Sequence, residues 1–320
     1  MNDDLPEKLT VYKARSSYNI NEQLQKLDIL KSGFGGGEGA IYFIPNNTDF
    51  CVKIFKNYRE GKVGKINAFI RHLKTVCEGS MMNLYSNYSW RQFLLDYVAY
   101  PRSRIFSDQN GSKLIGYMMN YFIPEDFVCL ENLLDPEFSK GNKTFLYYIL
   151  YEIFFVTFYL QNIGISIGDI DGTNILVRRH RGDEGKRIIF IDVDSAQLVT
   201  EFETFANDAW HSETCAPEIN SQNKNLGEKT LVFSLSVLTY KLLFGGLSPF
   251  QFLGNPGDNG EAKRNGISPL RDIKLQVPGG RSLDEIPDKL RELLKDGISP
   301  NPTLRPNLKD FLLVLNDLYH

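Results

Sequence analysis

The stretch "GDIDGTNILVRRHRGDEGKRIIFIDVDSAQ", residues 168–197, constrains the local fold more than any other part of the chain. Runs 174–178 and 186–191 are rich in Ile, Val, Leu and Phe, and the polar, glycine-containing stretch 179–185 separates them. Two runs of strand-forming residues around a polar turn are typical of a β-hairpin. We therefore predict an antiparallel pair of strands here.

Polar side chains stand at one end of this predicted hairpin. If the turn is centred near Asp183, Asn174 lies directly opposite Asp192. Directly opposed residues hold their Cβ atoms about 4.5–5.5 Å apart, so an amide oxygen and a carboxylate would converge. Such a pair suits Mg²⁺, which takes few protein oxygens and completes its octahedron with water and phosphate. Asp and Asn are also ordinary turn residues, and the hairpin alone leaves both interpretations open.

The composition is that of an ordinary globular protein. The chain has 320 residues, 42% of them hydrophobic, which is enough for one large or two small domains. A net charge of −3 offers no basic surface for a phosphate backbone, so we expect no nucleic-acid partner. The four cysteines form no C-x-x-C pair, and the acidic N-terminus is unlike a secretory signal. We expect a cytoplasmic protein.

Strand signals dominate the first half of the chain, at 41–44, 50–55, 103–106 and 113–122, with a helix-compatible stretch at 58–76. Apolar helices dominate the second half. The apolar run 145–160 is shorter than the roughly 20 residues of a membrane span and contains Glu152. We therefore predict a buried helix and no membrane association, with a second buried helix at 231–244. The pattern divides the chain into an N-terminal extension at 1–24, packing loosely, a sheet-rich lobe at 25–121 and a helical lobe at 122–320.

A glycine-rich turn and a strand lysine stand near the front of the sheet-rich lobe. Residues 33–39 contain five glycines in seven positions, although the strict G-x-G-x-x-G spacing is not met. Glycine lets backbone N–H groups approach an anion closely. Lys53 follows in the middle of the strand "FCVKIF", where an ammonium group needs an anionic partner or must reach solvent. Together the two features indicate phosphate binding.

The order of these parts resembles the protein kinase superfamily: glycine-rich turn, strand Lys, D-x-x-x-x-N, hairpin ending in Asp, then "CAPEI" at 215–219. The resemblance covers roughly residues 27–320. It implies an α+β, bilobal protein-kinase-like fold, with a small antiparallel-sheet N-lobe and a larger, mainly helical C-lobe. The segments "GGEGAIY" and "IDVDSAQ" are similar to bacterial kinase-like proteins found beside a metal-dependent phosphatase and a von Willebrand A protein, which implies those two as partners.

The resemblance implies ATP and Mg²⁺ as cofactors and a Ser or Thr hydroxyl on a protein as the acceptor. It makes Asp169 and Lys53 catalytic, gives Asn174 and Asp192 to the metal, and pairs Arg305 with Glu218 inside the large lobe. The residues implied in nucleotide binding come from the glycine-rich turn, the lysine strand, the following helix and the strand that leads to the hinge: Gly35, Gly36, Gly37, Gly39, Lys53, Glu60, Met119, Asn120, Tyr121 and Phe122.

Several positions depart from the kinase pattern. Gly168 replaces an Arg that often binds a regulatory phosphate, so we expect constitutive competence or control by a partner. Asp171 replaces a Lys near the transferred phosphate, which suggests lower turnover or an unusual acceptor. Asp194 replaces a glycine and is a second candidate metal carboxylate beside Asp192. The Glu expected to pair with Lys53 is Glu60 or Glu78, with Glu60 preferred because it opens the next helix.

Two other functions remain open at the level of sequence. A nucleotide-binding pseudokinase scaffold would use the same site without transfer, although it has no chemical need for every polar catalytic position. A kinase-fold enzyme that acts on a small molecule is the second alternative. The "APE" segment and Arg305 favour the protein-directed branch.

Overall fold

The computed structural model describes residues 5–14, 24–35, 37–57, 60–77, 89–122, 125–135, 141–179, 187–255 and 259–320. The chain divides into two compact units, Met1–Phe127 and Val128–His320. The predicted boundary between residues 121 and 122 lies a few residues before this division. The assignment of the two units to a bilobal protein-kinase-like fold stays a prediction.

The strands are β1 Lys8–Lys13, β2 Gln25–Gly35, β3 Gly39–Phe43, β4 Phe50–Phe55, β5 Ser103–Phe106, β6 Leu114–Asn120, β7 Phe127–Cys129, β8 Ile165–Ser166, β9 Ile175–Arg178, β10 Ile188–Phe190, β11 Gln197–Val199 and β12 Thr204–Phe205. The α-helices are α1 Glu60–Cys77, α2 Trp90–Tyr97, α3 Lys143–Asn162, α4 Glu228–Leu243, α5 Asn259–Asn265, α6 Asp288–Gly297 and α7 Leu308–Tyr319. The predicted strands β3 to β6, the predicted helix α1 and the two predicted apolar helices, α3 and α4, are confirmed.

Six strands of the first unit close into a barrel in the order β1-β2-β3-β4-β6-β5. Every neighbouring pair is antiparallel. Alternate residues point inward, so the barrel has an apolar core that includes Val11, Ile29, Tyr42, Val52 and Ile105. Removing these side chains from water is the main driving force for closure, and closure leaves no exposed strand edge.

Strand β1 corrects the prediction for the start of the chain. We expected residues 1–24 to pack loosely on the small lobe, but Lys8–Lys13 pairs along its whole length with β2 and also with β5. Val11 is fully buried in the barrel core. The loose-packing prediction is therefore wrong for this strand. The polar residues around it masked a strand signal that only tertiary pairing reveals.

Helices α3 and α4 form the interior of the second unit. Phe154 of α3 stacks on Phe311 of α7 with ring centroids 4.6 Å apart. Within the described residues, α3 is the one helix that is long and apolar enough to cross a membrane by length and composition, and 61% of its apolar stretch is buried in the protein. Helix α4 is buried from Thr230 to its last residue, Leu243.

An ion pair between the buried Arg305 and Glu218 joins distant parts of the second unit, as the resemblance to kinases implied. The guanidinium of Arg305, which is 2% exposed, donates to both carboxylate oxygens of Glu218 at 2.6 and 2.9 Å. It also donates to the carbonyl oxygens of Ser299 and Lys229 and lies 4.8 Å over the ring of Phe233. A buried charge with this many partners is costly to break, so it anchors the segment that carries Glu218.

Glu152 connects α3 to the start of β10. Its carboxylate accepts hydrogen bonds from the Tyr148 hydroxyl at 3.0 Å and from the Arg187 backbone N–H at 2.8 Å. The side chain is buried, and burial raises its pKa to about 7 although both hydrogen bonds act in the opposite direction. The folded protein therefore binds a proton at Glu152 more tightly than the unfolded chain does.

We expect Glu152→Gln to change the pH dependence of stability. Because the folded pKa is raised from 4.5 to about 7, the wild type loses stability from this group as pH rises through that range. Gln does not ionise and therefore loses no stability in this range. The unfolding free energy of Glu152→Gln minus that of the wild type should rise by about 2–3 kcal/mol from about pH 5 to about pH 8. Urea unfolding at both pH values measures this.

Glu292→Gln is the matched control, because Glu292 lies on the surface of the same unit with its side chain 63% exposed. Its stability difference from wild type should hardly change with pH. A difference between Glu152→Gln and wild type that is the same at both pH values would contradict the account.

Candidate functional site

The glycine-rich turn joins β2 to β3 in the first unit. Gly35 has φ 148°, and a Cβ there would lie 2.6 Å from the carbonyl oxygen of Gly39. A Cβ on Gly39 would lie 2.7 Å from the Ile54 carbonyl oxygen. Both positions therefore require glycine, whereas Gly37 is exposed and borders open space. Gly36, also predicted to bind nucleotide, lies outside the described residues.

Lys53 lies beneath this turn on β4. It pairs with Ile41 of β3 and Tyr117 of β6, and it is 3% exposed. An added Cβ on Gly39 would be 3.3 Å from Lys53 Cε, so the lysine stem packs directly against the glycine backbone. The first unit therefore brings together two of the predicted phosphate-binding elements.

Glu60 does not fit the role of an ion-pair partner for Lys53. It opens α1 as predicted, but its side chain is exposed while Lys53 is buried. No ion pair between the two is present within the described residues, and Glu78 lies outside them. The contact that α1 makes with the glycine-rich turn comes instead from Lys62, which forms an ion pair with Glu38.

Residues 119–122, predicted to receive adenine, comprise the last two residues of strand β6 and the two that follow it. Met119 is buried and pairs with Cys51, and the Asn120 side chain donates to Leu95 and accepts from Arg102. The Tyr121 backbone N–H is already donated to the Asp49 carbonyl oxygen at 2.9 Å. That bond argues against the Tyr121 amide as an adenine contact.

The acidic loop, residues 167–174, lies in the second unit between β8 and β9. The side-chain amide of Asn174 donates to Asp169 twice, to the carboxylate Oδ2 at 2.8 Å and to the backbone oxygen at 3.1 Å. A short 3-10 turn, Gly172–Asn174, brings the two ends of the loop together, and the Asp171 carboxylate caps it by accepting from the Thr173 N–H at 3.1 Å. The five-residue spacing thus becomes a direct contact.

The hairpin forms as predicted, but its register is shifted by one residue. The observed partners are Val177 with Ile188 and Ile175 with Phe190. Ile191, not Asp192, therefore stands opposite Asn174, and its N–H donates to the Asn174 carbonyl oxygen at 3.0 Å. The predicted pairing of Asn174 with Asp192 is wrong. Register depends on the length and type of the turn, which the assumed centre at Asp183 did not capture.

Asp192 nevertheless lies near the acidic loop. It follows the end of β10 and has left-handed backbone angles, φ 58° and ψ 31°, so its side chain is not directed by strand alternation. Burial raises the pKa of Asp169, and the charges of Asp171 and Asp192 raise it further, while Asn174 and His211 lower it. Uncommon backbone angles on a non-glycine residue are enriched at functional sites.

The donors near the hairpin end fit a hard cation. Mg²⁺ in nucleotide sites needs one or two protein oxygens, because phosphate and water supply the others. Asp192 is exposed and Asn174 is half-buried, whereas the alternative carboxylate of Asp194 is 0% exposed. Within the described residues, no group of three or more His, Cys, Asp or Glu side chains could hold a metal. The residues therefore fit a cation that is bound partly by the protein and partly by a phosphate ligand and water, and they do not fit a site in which the protein supplies every metal ligand.

A second segment of the same unit, residues 207–218, holds the acidic loop in place. The Thr214 hydroxyl, fully buried, donates to the Ile170 carbonyl oxygen at 2.8 Å. Asn207 is also fully buried, and a Cβ on Gly168 would lie 2.3 Å from its Nδ2. Gly168 stands where the kinase pattern often has an Arg. A side chain at this position would collide with Asn207, so glycine is required.

Sequence reasoning missed His211 in this segment. Its Nδ1 lies 3.6 Å from the Asp171 carboxylate, and its charge acts on Asp169 and on Glu213. The only signal for it was the unbalanced charge of Asp171. No spacing rule connects two residues that approach each other through tertiary structure.

Comparison with known proteins supports a kinase-like assignment. No family model matches the chain. The protein kinase YegI from two strains of Escherichia coli, O157:H7 and K12, is 23% identical over 245 residues, which cover 74% of this chain. The matched stretch spans 34% of the length of these relatives. The chain is thus distantly similar to a protein kinase, which suggests a phosphotransferase.

We expect Gly168→Ala to destabilise the second unit by about 1–3 kcal/mol, because the added methyl group overlaps the buried Asn207 amide. Urea unfolding followed by fluorescence measures the loss. Gly141→Ala is the matched control, since Gly141 is exposed and borders open space. Adding Asn207→Ala should make the loss from Gly168→Ala smaller. Equal losses with and without Asn207→Ala would rule out the collision.

Proposed function

We propose that this chain is an ATP- and Mg²⁺-dependent protein kinase that transfers the γ-phosphate to Ser or Thr hydroxyls. The observation that carries the proposal is the double hydrogen bond from Asn174 to Asp169, which fixes a half-buried carboxylate beside a candidate cation site. The distant similarity to a protein kinase supports it. The Ser/Thr preference rests on the sequence resemblance alone.

Asp169 has the position and surroundings of a group that orients an acceptor hydroxyl. Asn174 holds Oδ2 of its carboxylate, and the group is half-buried. An oriented carboxylate accepts the proton of the attacking hydroxyl and aligns its oxygen with the phosphorus atom. Because phosphoryl transfer depends mainly on positioning and charge neutralisation, this orientation is the main contribution of Asp169.

The charge and position of the remaining site residues suggest how they would bind the nucleotide and the metal. Lys53 would contact the α- and β-phosphates, and backbone N–H groups of Gly35, Gly36, Gly37 and Gly39 would cover the phosphates. Residues Met119, Asn120 and Phe122 remain the proposed adenine contacts. Asn174 and Asp192 would hold Mg²⁺, which when bound neutralises charge on the β- and γ-phosphate oxygens.

The anchored segment 207–218 favours a protein acceptor. Glu218 is fixed by Arg305, and Thr214 is fixed to the acidic loop, so this segment has a defined conformation beside Asp169. A defined surface next to the proposed catalytic carboxylate can orient an extended peptide. A metal-dependent phosphatase and a von Willebrand A protein are proposed as partners on the sequence resemblance.

One observation favours the alternative of a nucleotide-binding scaffold. Asp171 places a negative charge near Asp169, whose pKa it raises, where phosphoryl transfer needs a positive charge. A scaffold would bind nucleotide but would not transfer phosphate, so a transfer assay separates the two functions.

We expect purified protein with Mg²⁺ and γ-labelled ATP to place label on Ser or Thr of a protein. Asp169→Asn, which keeps the shape of the side chain, should lower the rate by about 10²-fold or more. Asp317→Asn on the exposed face of α7 is the control and should leave the rate unchanged. Nucleotide binding without transfer by wild type would contradict the proposal and support the scaffold.

Two further outcomes would also contradict the proposal that the chain is a protein kinase. Label that appears only on a small-molecule acceptor would indicate a kinase-fold enzyme of another class. Incorporation of label from α-labelled ATP would indicate nucleotidyl transfer.

A further inference from the structure

Asp171 places a negative charge where phosphoryl transfer needs a positive one. Its carboxylate is 10% exposed and lies two residues from Asp169, whose pKa it raises. An incoming triphosphate would meet the charges of Asp169, Asp171 and Asp192 together. A site of this kind needs a compensating cation.

His211 is placed to supply that cation. Its Nδ1 lies 3.6 Å from Asp171 Oδ2 and, within the described residues, makes no hydrogen bond. The other oxygen, Oδ1, is used differently: it accepts from the N–H and the hydroxyl of Thr173. One carboxylate oxygen therefore caps the turn, and the other faces the imidazole ring.

The other charged groups around His211 are already engaged with each other. Glu213, two residues along the same segment, accepts from Lys241 of α4 at 2.8 Å, and Lys241 is 8% exposed. This pair is close to neutral as a unit. From the acidic loop, Asp169 and Asp171 face His211. His211 is thus the group that can balance Asp171.

We infer that protonated His211 offsets the charge of Asp171 and keeps the acidic loop competent for phosphoryl transfer, in place of the lysine that the kinase pattern has at position 171. This inference rests on the proposed function. His211 acts through Asp171 and is a positioning residue.

The test compares three substitutions that separate charge from shape. His211→Gln removes the cation and keeps a polar side chain of similar length. His211→Lys keeps a cation on a side chain of different shape. Asp171→Asn removes the charge to be balanced and keeps an oxygen that can cap Thr173. His320→Gln is the control, because His320 is the exposed last residue of the chain.

We expect His211→Gln to lower kcat roughly tenfold with little change in KM for ATP. This loss is smaller than the roughly 10²-fold effect of a direct donor, because His211 is partly exposed and acts through Asp171. His211→Lys should keep most of kcat because the cation is retained. The double variant with Asp171→Asn should recover activity relative to His211→Gln. Equal losses in His211→Gln and His211→Lys, or no loss in either, would overturn the inference.

A stability measurement tests the pair even if wild type transfers no phosphate, an outcome that would contradict only the proposed function. Because the imidazole of His211 faces the carboxylate of Asp171 at 3.6 Å, the two substitutions should be coupled in their effect on stability. The melting-temperature losses of His211→Gln and Asp171→Asn should be non-additive by about 1–2 °C. Additive losses would overturn the inference.

Discussion

The side-chain amide of Asn174 is the contact on which the candidate site depends. By donating to both the carboxylate and the backbone oxygen of Asp169, it ties the first and last parts of the acidic loop together. The Asn174 carbonyl oxygen accepts from Ile191, which fixes the same residue to the end of the hairpin. One side chain and one backbone group thus determine where Asp169 and Asp192 lie. Loss of the side-chain contact would leave the Asp169 carboxylate without its hydrogen bond to the end of the hairpin.

The segment 207–218 adds a second layer of constraint. Thr214 and Asn207 are both fully buried and contact the acidic loop, and Glu218 is held by the buried guanidinium of Arg305. The Thr214 hydroxyl has its hydrogen bond satisfied by the acidic loop, and a satisfied buried polar group specifies one arrangement because the alternatives leave it without a partner. The burial of Thr214 also makes it a poor site for regulatory phosphorylation.

Local sequence patterns predicted the elements that local physics controls. The strands β3 to β6 and the apolar helices α3 and α4 follow from periodicity and composition. The hydrogen bonds between Asn174 and Asp169 were not predicted. The pairing of Arg305 with Glu218 came from resemblance to kinases. The partner of Lys53 could not be predicted, because the exposure of Glu60 depends on how α1 packs. The hairpin register, strand β1 and the approach of His211 to Asp171 depend on turn length and tertiary pairing, which composition and spacing do not encode.

The most direct test of the central claim is a crystal structure with Mn²⁺, as an anomalous stand-in for Mg²⁺, and a non-hydrolysable ATP analogue. The account predicts an anomalous peak with the Asn174 amide oxygen and an Asp192 carboxylate oxygen as ligands, at about 2.0–2.2 Å. Asp169 should lie beside the γ-phosphate without binding the metal. A peak bound by Asp194, or bound nucleotide with Asn174 and Asp192 turned away from it, would contradict the account.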